Sequence, residues 1–104
     1  MTALYRAQKE NILAPEFTGK DTLSICETFN RAAFDALLAE NGSAGIRIYF
    51  GMNPEMQIRV IAVAVDKEGK DILPAEGDES SEGSAQIVED GQVCPPWCPP
   101  PPPL

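Results

Sequence analysis

Cys94 and Cys98 enclose Pro95, Pro96 and Trp97, and each of the two cysteines is followed by proline. Thiols at this spacing could close a small disulfide loop, supply half of a four-thiolate metal site across a dimer, or offer a Cys-Pro thiolate to haem iron. A closed zinc site needs a second cysteine pair, and Cys26, the third and last cysteine, does not provide one. The pair is therefore expected to dock or tether the C-terminal segment, with no metal and no cofactor. Metal, haem or redox chemistry at Cys94 and Cys98 is the alternative. An odd cysteine count in a chain read as cytoplasmic does not suggest a disulfide scaffold.

Trp97 is the only tryptophan and lies in a proline-rich segment that holds seven of the ten prolines, at positions 95–103. It either folds back on the body of the protein or anchors in a partner's pocket. The run from Pro99 and Pro100 through Pro103 to Leu104 has the composition of a polyproline II rod, about 15 Å long for five residues. Such rods are ligands of EVH1, SH3 and profilin-type domains, and they also serve as spacers; here no basic residue flanks the run to orient it in an SH3 groove. Cys94, Pro95, Pro96, Trp97, Cys98, Pro99, Pro100 and Leu104 are thus the candidate partner-binding residues.

The chain contains no histidine, which removes Ser-His and Cys-His mechanisms and every histidine-containing metal site. No pair of carboxylates is placed together by the sequence, so no catalytic residue is assigned and the protein is not expected to be an enzyme. Asp66, Glu68 and Asp71 around Gly69 lack the ligand series of an EF-hand and read as a solvated turn. Cys26 reads as a small buried hydrophobe on a helix face.

Charge divides the chain. Residues 1–70 carry all 8 bases against 9 acids, leaving −1; the remaining 7 acids lie beyond residue 70 and account for −7 of the net −8. An acidic chain is repelled by nucleic-acid phosphates and anionic lipid heads, so neither is an expected partner. No segment has the apolar length of a membrane span or the form of a signal peptide, and the expectation is a cytoplasmic protein. The expected layout is a body over 1–74, an acidic flexible linker over 75–93 and a Cys/Pro-rich motif over 94–104. A body of this size has little core to spare, and homo-oligomerisation is a natural supplement.

The elements that must position these residues follow from periodicity. A helix is expected between residues 21 and 40: Ile25, Phe29, Ala33, Ala36 and Leu37 recur at helical spacing, Ser24 and Glu27 form a candidate capping box, and Asn41-Gly42 supplies a stop. Ile46, Ile48 and Phe50 alternate with Arg47 and Tyr49 as in a half-buried strand, and the apolar run over 60–65 reads as a central strand. Asp66 to Gly69 is a turn signal, with a short returning strand to Leu73 and a further edge strand around Ile87 and Val88. Leu4, Tyr5, Ile12 and Leu13 suit either a short N-terminal helix or an extended arm. The predicted fold is α+β, one main helix on a three- or four-stranded antiparallel meander, followed by a disordered acidic, proline-rich tail.

The segments GIRIYFGMNPEMQIRVIAVAVDKEGKDIL and VEDGQVCPPWCPP resemble a group of small uncharacterised bacterial proteins. That group has a Gly-Ile-Arg-Ile-Tyr hairpin (here residues 45–49), a Val-Asp-x-x-Gly turn followed by Asp-Ile/Leu-Leu (65–73) and a C-terminal Cys-Pro-Pro-x-Cys motif (within 90–98). The resemblance covers roughly residues 25–98 and implies a cytoplasmic bacterial protein without implying an activity; the terminal five-proline run departs from the group. The expected function is a noncatalytic adaptor or accessory protein that binds a protein partner through its C-terminal motif.

Overall fold

The computed structural model describes residues 1–73 and 87–100. These form an α+β fold with two α-helices and two antiparallel sheets, one of four strands and one of two. The expected disorder of the acidic segment over 74–86, and the position of Leu104, lie outside the described residues.

The centre is strand β3 (Ile58–Val65), whose apolar run packs Ala62, Val63 and Ala64 at 2% exposure or less. It pairs along its whole length with β2 (Gly45–Met52), from Gly45 opposite Val65 to Met52 opposite Ile58. On its other side β3 meets a succession of short pieces. Strand β4 (Asp71–Ile72) pairs at Ala64 and Val65, and β5 (Ile87–Val88) pairs at Ala62 and Val63. Beyond them the Val60 amide donates to the Glu27 carboxylate at 3.2 Å and the Ile58 amide to the Thr22 carbonyl at 2.8 Å. Every second amide along this side of the central strand is thereby matched, as buried backbone requires.

Helix α2 (Arg31–Ala39) lies across one face of this sheet. Leu37 is fully buried with Ala62, Ala64 and Val88, and Phe29, Ala33, Phe34, Ile46 and Ile72 pack around them. A nine-residue helix is about 14 Å long, whereas an eight-residue strand runs about 27 Å. The helix therefore covers only one end of the sheet. That shortfall corrects the expected inward side of β2: Ile46 reaches the core, but Ile48 is 43% and Phe50 78% exposed.

The helix also starts later than its periodicity suggests. Asn30 is the N-cap, its side chain accepting from the Ala32 amide at 3.0 Å, and residues Cys26–Thr28 form strand β1 instead of a first helical turn. Cys26 thus belongs to a strand. The helix ends near the expected place, but the break is made by Glu40, whose ψ is 140, and Gly42 at φ 84 belongs to the turn that follows. At the N-terminus the short helix, α1 (Thr2–Gln8), is the form adopted, and a 3-10 turn follows at Pro15–Phe17. No helix among the described residues is long and apolar enough to cross a membrane.

The second sheet pairs β1 with β6 (Gln92–Cys94). Val88, Val93 and Cys94 are all buried, so the body does not end at residue 74, and the expected linker over 75–93 includes β5 and most of β6. The physical reason is that the two-residue strands β4 and β5 each cover only part of the β3 edge, and the chain must return to complete it.

The 66–69 turn has the predicted chemistry. The Asp66 carboxylate accepts from the amides of Glu68 and Lys70, both at 2.9 Å, and Gly69 takes φ 84. These amides, that of Lys70 foremost, hold the Asp66 carboxyl below the ordinary aspartate range. A pKa lower in the folded than in the unfolded chain contributes stability above the unfolded value, about 3.9, which is lost as pH falls through the folded one. A carboxyl-detected NMR titration is expected to place the Asp66 midpoint below that value; a midpoint at or above it contradicts the turn geometry.

Candidate functional site

The cysteine motif is built onto the small sheet. In the β1–β6 pair Cys26 lies opposite Cys94, Glu27 opposite Val93 and Thr28 opposite Gln92. The Ile25 amide donates to the Cys94 carbonyl at 2.9 Å, holding the end of β6 in place. Pro95 and Pro96 have no amide to donate, so the strand stops at Cys94 and the chain turns. A disulfide joins Cys94 to Cys98 across a Cα separation of 4.6 Å, and the Trp97 amide donates back to the Val93 carbonyl at 3.0 Å. The expectation of no disulfide scaffold is corrected by this bridge: the two cysteines are four residues apart and the turn brings them together.

The eight sequence-predicted binding residues thus divide. Cys94 is 2% exposed and serves as the root of the loop. Pro95 is half-buried, and Pro96, Cys98, Pro99 and Pro100 are exposed. Trp97 is 59% exposed, so its indole is displayed instead of folded into the sheet.

The small sheet is fastened to the large one by a residue that local periodicity assigns elsewhere. Glu27, the supposed capping-box acid, has a side chain only 7% exposed and pairs with Arg59 at 3.2 Å. Its two oxygens accept from the Val60 amide at 3.2 Å, the Gly91 amide at 3.1 Å and both Nε and Nη2 of Arg59. Arg59 in turn donates to the Gly91 carbonyl at 2.5 Å. One carboxylate therefore ties β1 to β3 and to the bend before β6. No local signal identifies it, because its partners lie 32 to 64 residues away.

Between the two sheets is an open apolar hollow of about 520 Å³, lined by Tyr5, Leu23, Cys26, Phe50, Ile58 and Val60. It occupies the end of the sheet that α2 does not reach. Helix α1 closes one side, pinned by the Tyr5 hydroxyl, which donates to the Ser24 carbonyl at 2.5 Å. Burial, and then the nearby Glu10 charge, push the Tyr5 phenol above its ordinary pKa. The free thiol of Cys26 borders this space.

The opposite face of the large sheet carries a polar strap. Asp71 on β4 accepts from Arg47 at 2.5 Å and from the Tyr49 hydroxyl. Both donors stand on β2, so the strap crosses β3 on the side where Val63 lies 2% exposed. The Tyr49 contact, with that of Asp71 next, raises the Arg47 pKa.

The chain matches no family model, no curated protein and no solved structure.

Gly91 is where this joint can be probed without removing a charge. A Cβ there would lie 2.8 Å from both Glu27 Oε2 and the Phe29 ring. Gly91→Ala is expected to destabilise the fold by about 1–3 kcal/mol, the usual scale of overpacking. Urea unfolding checks this; an unchanged midpoint would mean that the carboxylate does not approach the backbone so closely.

Proposed function

We propose that the protein is a noncatalytic adaptor that binds a protein partner through its disulfide-closed loop, with Trp97 as the anchor. The observation that carries this reading is a single tryptophan, 59% exposed, on a loop held at both ends by the Cys94–Cys98 bridge and the Trp97–Val93 hydrogen bond. Aromatic anchors dominate the energies of protein interfaces, and an anchor on a rigid loop loses little conformational entropy on docking. Exposed Pro96, Pro99 and Pro100 extend the contact surface at similarly low entropic cost. The net charge of −8 favours neither nucleic acid nor an anionic membrane.

A second reading is self-association through the outer edge of β2. The Val60 and Ile58 amides point away from β2, so their register partners Phe50 and Met52 direct their own backbone groups away from β3. Among the described residues no strand pairs with that edge. An eight-residue edge with Ile48, Tyr49, Phe50 and Met52 exposed is a template for strand pairing.

Truncation before the motif is unsuitable as a test, because ending the chain at Gln92 would delete the buried Val93 and Cys94. Affinity capture should instead compare the intact chain with Trp97→Ala, a chain ending at Cys98, and Phe50→Pro. The last removes an outward amide without breaking the ladder to β3. Trp97→Ala is expected to weaken capture by about 30-fold, the effect of a 2 kcal/mol hot spot. Loss only in the chain ending at Cys98 would assign binding to the proline run. Loss only in Phe50→Pro would assign it to the β2 edge, and either outcome would overturn the Trp97 reading.

A further inference from the structure

Cys26 and Cys94 are register partners in the β1–β6 pair. Directly opposite residues of an antiparallel pair project to the same face with Cβ atoms about 4.5–5.5 Å apart. Disulfides close at a Cβ separation of about 3.5–4.5 Å, so a small adjustment of two strand ends brings the pair within bonding reach. Cys94 is thus bonded to Cys98 and stands opposite Cys26, a free thiol, in the strand register. The three differ in access: Cys94 is 2% exposed, Cys98 is exposed, and Cys26 borders the apolar hollow.

We propose that Cys26, Cys94 and Cys98 form a thiol–disulfide exchange site whose substrates are small disulfides or disulfide-bearing peptides. In the first step the Cys26 thiol gives its proton to solvent and the thiolate attacks Sγ of Cys94. The Cys26–Cys94 bond forms, the Cys94–Cys98 bond breaks, and the electron pair leaves with Cys98 as a thiolate. This step is an isomerisation: one bridge and one thiol are present before and after, and no oxidant or reductant is consumed. It moves the free thiol from the hollow to the exposed end of the loop and releases the 94–98 ring. In the second step the Cys98 thiolate attacks a substrate R–S–S–R, forming a Cys98–S–S–R mixed disulfide and expelling R–S⁻, which takes a proton from solvent. The β1–β6 register sets the order of events, because it places Cys26 opposite the buried Cys94 and leaves the exposed Cys98 as the leaving group. The proposal bears on the adaptor reading, because the exchange opens the Cys94–Cys98 loop on which Trp97 is displayed.

The test uses the intact protein with its native bridge, incubated anaerobically at pH 8 and trapped with N-ethylmaleimide. Peptide mapping without reduction then locates the label. The label is expected on both Cys26 and Cys98, totalling one per chain, with a Cys26–Cys94 cross-link in the fraction labelled at Cys98. Incubation with glutathione disulfide is expected to place glutathione on Cys98, and Cys26→Ser, checked for native circular dichroism, is expected to lose both signals. In a glutathione redox buffer Cys98→Ser is expected to form the Cys26–Cys94 bridge. Label confined to Cys26 over hours in the unsubstituted chain overturns the proposal, whatever the variants do. A Cys98 signal that persists in Cys26→Ser overturns it as well.

Discussion

The carboxylate of Glu27 is the contact on which the remaining arrangement depends. An eight-residue central strand needs hydrogen-bond partners along both sides, and on one side no continuous strand among the described residues supplies them. Strands β4 and β5 cover the 62–65 end, and beyond them the Glu27 side chain accepts the Val60 amide. Because Glu27 stands on β1, the same carboxylate fixes the small sheet against the large one. Its bond to the Gly91 amide then sets the entry into β6, and β6 carries the cysteine loop. A buried carboxylate is tolerable only when paired and hydrogen-bonded, and Arg59 with two backbone amides meets that condition.

The mismatch in length between helix and sheet explains where the accessible surfaces lie. Helix α2 seals the end around Leu37, Ala62 and Ala64. The uncovered end leaves Phe50, Ile58 and Val60 to line a hollow shared with α1 and β1. On the reverse face no helix of the described residues packs, and the Arg47–Asp71–Tyr49 strap crosses β3. Three surfaces are thus accessible among the described residues: an apolar hollow with a thiol at its border, a β2 edge that no described strand pairs with, and a disulfide-closed loop with an outward tryptophan.

What could be read from the sequence followed from how local each feature is. The β2–β3 ladder, the Asp66–Gly69 turn and the edge strand at Ile87 and Val88 all show in short windows, because alternation and turn residues are local signals. The turn at Asn41-Gly42, just past the end of the helix, is of the same kind. The helix start was illegible for a physical reason: Ile25 and Phe29 fit a helical stripe, yet Asn30 is the true cap and residues 26–28 pair with β6. Ser24 and Glu27 match a capping box by spacing, while the Glu27 carboxylate is used by groups far along the chain. Local periodicity is blind to such pairings, and it equally hides the meeting of Cys26 with Cys94. The cysteine motif itself was legible as a candidate site, but its burial at Cys94 and its closure onto β6 were not.

The central claim is that Glu27 and Arg59 act as one unit joining the two sheets. A double-mutant cycle on global stability, using Glu27→Gln, Arg59→Gln and the pair, measures it directly. The account predicts that the two substitutions are strongly non-additive, with a coupling of about 1–3 kcal/mol, as for contacting residues in one hydrogen-bonded network. Additivity within about 0.5 kcal/mol would contradict it, because the carboxylate and the guanidinium would then stabilise the fold independently.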